Sequence, residues 1–163
     1  MKNILILLLS MLALNFLSFC TDDVPFDEIA PVPPAEQPDS DGESDIPASS
    51  NVYIKVGGQT FSVTLANNAT AKAFVEKLPI TTDMNELNGN EKYFYLSESL
   101  PANASHPGTI QAGDLMLYGS DCVVLFYKTF SSSYSYTRIG RINDSSDLLE
   151  AVGTGTVSVT LEK

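Results

Sequence analysis

Apolar and polar positions alternate through much of the chain after residue 50. Val52–Val56 (VYIKV) and Thr60–Leu65 (TFSVTL) alternate on either side of Gly57-Gly58-Gln59, which predicts a β-hairpin whose turn uses positive φ. From Asn67 to Pro79 the period becomes helical. Ala71, Phe74, Val75 and Leu78 share one face, an asparagine is placed to cap the start, and Pro79 ends it. Ile80–Leu87 fits neither period well and is read as a short strand. Asn88-Gly89-Asn90 predicts a turn and Tyr93–Leu96 a strand. A long polar loop follows from Ser97 to Gly113, in which Thr109-Ile110 is expected to touch the sheet. Leu115–Tyr118 and Cys122–Tyr127 then flank Gly119-Ser120-Asp121 as a second hairpin. Asp144–Gly153 predicts a short helix with Asp or Ser capping and glycine at its end, and Thr156–Leu161 a last alternating strand.

Cys122–Tyr127 constrains the architecture most. Cys122, Val124 and Phe126 point one way and Val123, Leu125 and Tyr127 the other, and both sets are apolar. Such a strand is covered on both sides, and the expectation is a barrel strand with a helix packed outside it. About eight strands, one early helix and one late helix make a mostly β protein: a closed barrel with two capping helices, closure removing the edges that valine-rich strands would expose. Residues 51–163 are enough for one such domain.

The first 50 residues read differently. Lys2 followed by an apolar run from Ile4 marks residues 1–19 as a secretory signal, shorter than the roughly 20 residues of a membrane span. Leu17-Ser18-Phe19-Cys20 resembles the lipobox of bacterial lipoproteins, although Phe19 stands where a small residue is usual. Cys20 is thus the expected lipidation site, and acyl chains there would anchor the protein to a membrane. Between Thr21 and Ser50 lie nine acidic residues, six prolines and no Lys or Arg, so residues 20–50 are expected to form a disordered spacer. Cys20-Thr21-Asp22-Asp23 resembles the acidic signals that send some Gram-negative lipoproteins to the cell surface. The predicted location is the cell envelope, as an outer-membrane lipoprotein exposed at the surface.

The net charge of −11 resides largely in that spacer, and no basic stripe exists to neutralise phosphates, so nucleic acid is excluded as a partner. Two cysteines, one in the signal region, allow no disulfide framework, and one histidine with Cys122 allows no zinc centre. No cofactor or metal is expected. His106, the sole histidine, reads as a solvated loop residue. Phe130, Tyr134, Tyr136, Arg138 and Arg141 are interleaved with four serines, residue types that line recognition surfaces. Glu91 and Asp114 stand at turns bordering strands. Each is expected either to pair with Arg141 beside a groove or to hold its turn by accepting backbone N–H bonds.

Several segments together carry a resemblance: N-N-x-T-A-x-A-F-x-x-x-L-P from Asn67, G-N-E-K-Y from Gly89, A-G-D-L-M-L-Y from Ala112, and Y-x-x-x-G-R-I ending at Ile142. In this order the chain resembles the bacterial cyclophilin-like family, small domains with a cyclophilin-type barrel often found on exported lipoproteins. The resemblance implies a fold and leaves activity open. Cyclophilin-type prolyl isomerases carry F-H-R and Q-G-G segments, and neither is present. The expected function is therefore a non-catalytic module binding an extended peptide or small ligand, with Glu91, Tyr95, Tyr118, Phe126, Tyr127, Tyr136 and Arg141 as its wall. The alternatives are a weak peptidyl-prolyl isomerase and a structural or accessory lipoprotein.

Overall fold

The computed structural model describes residues 51–163; the expected signal segment, Cys20 and the acidic spacer lie outside the described residues. The elements in chain order are β1 (Val52–Val56), β2 (Gln59–Leu65), α1 (Ala69–Glu76), β3 (Ile80–Leu87), β4 (Glu91–Tyr95), β5 (Gly108–Ile110), β6 (Asp114–Tyr118), β7 (Cys122–Phe126), β8 (Phe130–Ser132), β9 (Thr137–Ile142), α2 (Leu148–Val152) and β10 (Val157–Glu162). Eight strands close into a barrel in the order β1-β10-β3-β4-β7-β6-β9-β2, and β5 pairs with β8 as a separate ribbon. The barrel ladders are antiparallel throughout. Between β1 and β10, Tyr53 stands opposite Glu162 and Val56 opposite Val159.

Alternation sorts side chains between two apolar compartments. Ile54, Met84, Phe94, Leu115, Leu117, Val123, Leu125, Ile139 and Leu161 fill the barrel, joined by Phe74, Val75 and Leu78 of the α1 region and by Leu148 and Val152 of α2. A second cluster lies outside the wall: Ile110, Met116, Cys122, Val124, Phe126 and Tyr136, with Tyr93 and Phe130 against it. All five residues of β7 are buried. The two-sided burial expected of this strand is present, but its outer cover is the β5–β8 ribbon and Tyr136 rather than a helix. Phe126 and Ile110 are fully buried there, each contributing about 1.5–3 kcal/mol of burial.

The strand read at Ile80–Leu87 keeps its bounds, whereas the last helix is shorter than expected. Ile80–Leu87 is a full eight-residue strand; its inward positions include Thr82 and Glu86, which blurs the apolar alternation. The last helix starts at Leu148, because Asp144 accepts the Ser146 N–H at 3.0 Å and makes a local turn instead of a cap. The early helix begins as expected, with Asn68 Oδ1 accepting the Ala71 N–H at 2.8 Å; Asn68 Nδ2 also donates to the Arg138 carbonyl at 2.8 Å, fixing the helix to β9.

Two glycines are set by close approach. At Gly57, with φ +58, an added Cβ would overlap the Ala151 backbone of α2. At Gly140, in the G-R-I segment, an added Cβ would lie 2.7 Å from the Thr64 carbonyl oxygen and 3.0 Å from Val63 on the neighbouring strand. The β2–β9 seam that closes the barrel therefore needs glycine on one side. Gly140→Ala is expected to destabilise the domain by about 1–3 kcal/mol through this overpacking, read as a lowered melting temperature in thermal unfolding. An unchanged melting temperature would show that the seam yields freely.

Candidate functional site

Four adjacent strands, β3, β4, β7 and β6, present their outward residues as one surface. Leu87 stands opposite Glu91, Glu91 opposite Phe126, Tyr93 opposite Val124 and Tyr95 opposite Cys122. On the far side Met116 faces Val124 and Tyr118 faces Cys122. A small thiol thus lies between two tyrosines in one row, making a floor with two high walls. The third wall comes from the chain between β8 and β9. Tyr136 is buried, its ring perpendicular to Phe126 at 5.4 Å and 5.7 Å from Tyr118, while exposed Tyr134 packs edge-on to Tyr118 at 6.2 Å.

The resulting groove has a volume of about 290 Å³ and is bordered by Tyr93, Tyr95, Tyr118, Tyr134 and Tyr136, with Glu91, Asn88, Leu87, Val124 and Cys122 completing it. A smaller depression of about 150 Å³, between Asn90 and Phe130–Ser133, shares Asn88, Glu91, Tyr134 and Tyr136 with it, so the two meet at Glu91. The loop before β5 holds this wall in place. The Ser105 N–H donates to the Tyr136 carbonyl at 2.9 Å, the Tyr136 N–H returns a bond to Ser105 at 3.0 Å, and the Asn103 N–H donates to Thr137 Oγ1 at 3.0 Å.

Of the residues expected to form a wall, the structure brings Glu91, Tyr95, Tyr118 and Tyr136 to this groove. Phe126 lies beneath it as packing. Tyr127 has the opposite parity and points to the barrel end, where its hydroxyl donates to Glu86 Oε1 at 2.8 Å. Burial and Glu86 push the Tyr127 hydroxyl up to about 12. Arg141 is drawn away by Asp114, which is fully buried: its Oδ1 accepts from Arg141 Nε at 2.6 Å and from Arg138 at 2.7 Å, and its Oδ2 accepts the Gln111 N–H at 2.9 Å. Asp114 therefore both pairs with Arg141 and holds its turn. At the β3–β4 turn that part falls to Glu86, which accepts the Gly89 N–H at 2.9 Å. Tyr93, Tyr134 and Cys122 were not among the expected wall residues; Tyr93 and Cys122 could have been found from their parity with Tyr95 and Phe126. His106 is exposed near Ser135 Oγ, 3.3 Å from Nδ1.

The carboxylates of the site differ in how they are satisfied. Glu86 lies 2.6 Å from Nζ of the fully buried Lys92. Burial raises its pKa, and hydrogen bonds from Lys92 and Tyr127 more than offset this, leaving it below the usual value. Lys92 in turn donates to the Gly155 carbonyl. A depression of about 430 Å³ opens beside Glu86 and Tyr127, where Glu86 is already matched by Lys92. Glu91 is buried with 7% exposure, and among the described residues no lysine or arginine pairs with it. Burial pushes its carboxyl above the ordinary value, a hydrogen bond with Asn88 opposes this, and the charge of Glu86 adds to it. Burial likewise raises Cys122 and Tyr136, with Glu91 contributing to both. Among the described residues no three His, Cys, Asp or Glu side chains converge as a metal site.

A model of the cyclophilin-like family matches residues 54–162. The solution structure of a hypothetical protein from Archaeoglobus fulgidus matches with a TM-score of 0.44 and 19% identity, over 69% of this chain and 92% of that one. No curated protein matches the sequence.

The raised Glu91 value has a consequence for stability. A carboxyl whose folded value exceeds its unfolded one favours folding when protonated; that advantage is full below the ordinary 4.5 and is lost as pH rises through the folded value. Glu91→Gln is expected to raise the melting temperature at pH 7 and to leave it nearly unchanged below about pH 4, where wild-type Glu91 is already neutral. Thermal unfolding at the two pH values checks this, and a lowered melting temperature at pH 7 would reverse the assignment.

Proposed function

The chain belongs to the cyclophilin-like family, and from that premise we propose that it is a lipid-anchored cell-envelope protein whose barrel binds an extended peptide or small ligand without chemistry. The observation that carries this reading is the groove: five of the chain's seven tyrosines surround a concave floor of Cys122 and Val124. Rings of this kind offer large contact area at low conformational cost, with hydroxyls to fix orientation. Two linked depressions suit an elongated ligand better than a compact one.

Nothing in the groove favours catalysis over binding. Arg138 and Arg141 both end on Asp114, and neither borders the groove. An isomerase working there would lack an arginine to meet the prolyl nitrogen. The anchor rests on the apolar run ending at Cys20 and on the acidic, proline-rich stretch after it. Together these support an outer-membrane lipoprotein displayed at the surface.

Two experiments test the reading. With the full chain, a panel of unstructured peptides is expected to perturb tyrosine fluorescence, Tyr95→Ala and Tyr118→Ala each weakening binding about tenfold, while isomerisation of a proline-containing tetrapeptide stays at the uncatalysed rate. Acceleration above background would make the protein an enzyme and overturn the non-catalytic reading. Separately, labelled fatty acid fed to expressing cells is expected to enter the wild-type protein and not Cys20→Ser; equal labelling of the two would remove the anchor from Cys20.

A further inference from the structure

The peptide-binding reading leaves open what the groove selects, and Glu91 bears on it. Glu91 borders both depressions with 7% of its surface exposed, and no lysine or arginine among the described residues pairs with it. The other two buried charge centres are matched, Asp114 by Arg138 and Arg141 and Lys92 by Glu86. An isolated buried charge is costly, and proteins retain one where something supplies its partner. The residue before it offers a second acceptor: Asn90 borders the smaller depression, and its Oδ1 is buried without a hydrogen-bond partner. Buried acceptors left open in this way mark the place of an absent donor.

The rings around Glu91 agree in sign. An aromatic face is the negative part of the ring quadrupole and attracts a cation. Neither depression is bordered by a lysine or arginine, so among the described residues no cationic side chain competes for the position. The groove therefore combines a carboxylate and five tyrosines around a volume of about 290 Å³, room for one long side chain but small for a drug-sized ligand, and the unused amide oxygen belongs to Asn90 on the border of the adjoining smaller depression. A lysine fits each part: its methylene stem lies along rings while its ammonium, with three N–H donors and no acceptor, meets the two oxygens.

We propose that the groove selects an extended peptide segment by a lysine side chain, the stem against the tyrosines and the ammonium against Glu91 and Asn90. This rests on the peptide-binding reading above and adds to it a required positive charge. A peptide carrying an acidic residue at that position meets Glu91 as a like charge and is rejected, which gives the site discrimination as well as attraction.

The chain has no tryptophan, so its intrinsic fluorescence comes from tyrosines, most of them at this groove. The test titrates the full chain with a blocked five-residue peptide of alanines carrying one central lysine, and with versions bearing norleucine or Nε-acetyl-lysine there. The lysine peptide is expected to bind at least about tenfold more tightly than either neutral version, and Glu91→Gln to erase that difference while keeping the fold. Equal binding of all three overturns the cation requirement and leaves the peptide-binding reading standing. Binding of choline with none of the lysine peptide makes the groove a small-cation site and overturns both, as does the absence of any response to peptides or choline. Retention of the lysine preference in Glu91→Gln also overturns the proposal, since the selecting charge would then lie elsewhere.

Discussion

Everything in this domain depends on a wall that is apolar on both faces. All five residues of β7 are buried, with only Cys122 and Val124 keeping a few per cent of their surface open. Its Val123 and Leu125 belong to the barrel interior, and its Cys122, Val124 and Phe126 to the compartment outside. An ordinary antiparallel strand gives one face to the core and one to solvent. Here the second face needs its own cover, and the short β5–β8 ribbon with Tyr136 provides it at one end only. At the other end the apolar surface remains as the floor of the groove. The groove is thus the part of the outer compartment that the described residues do not close over.

The treatment of buried charge separates structural from available groups. Lys92 is fully enclosed, yet it has Glu86 at 2.6 Å, the Gly155 carbonyl and the Tyr127 ring at 5.6 Å. Asp114 receives two guanidinium bonds and a backbone N–H. Both satisfy the rule that a charge taken from water must be paired and hydrogen-bonded. Glu91 does not. Its neighbours Cys122 and Tyr136 carry raised pKa values to which its own charge contributes, so the groove as a whole resists further negative charge.

Period-two alternation made the barrel legible, and it was most informative where both parities were apolar, as in β6 and β7. It failed at β3, where Thr82 and Glu86 occupy inward positions and Asp83 and Asn85 outward ones, leaving no contrast to read. The outer cover was expected to be a helix because β5 and β8 are three residues each, too short to show a period. Parity also explains the dispersal of the expected wall. Tyr127 alternates with Val123 and Leu125 and could not share a face with Phe126. Arg141 pairs with Asp114, one of the partners expected for it, but the cross-strand register holds that pair away from the groove. Tyr134 and Tyr136 stood out by composition, but their approach to Tyr118 depends on the Ser105 bridge, a contact between two loops.

The pairing of β1 with β10 carries a mechanical consequence. Tyr53 lies across from Glu162, so the two ends of the folded segment emerge side by side from the same rim of the cylinder. Tension applied between those ends would act across that ladder as on a zipper, loading one rung at a time beginning with the outermost. Tension between the start of β1 and the tyrosines of β4 and β6 would instead be shared around the closed hoop of strands. Force applied at the outer face of β4 and β6 is borne by many bonds in parallel, whereas the same force at the ends of the folded segment is borne by one after another.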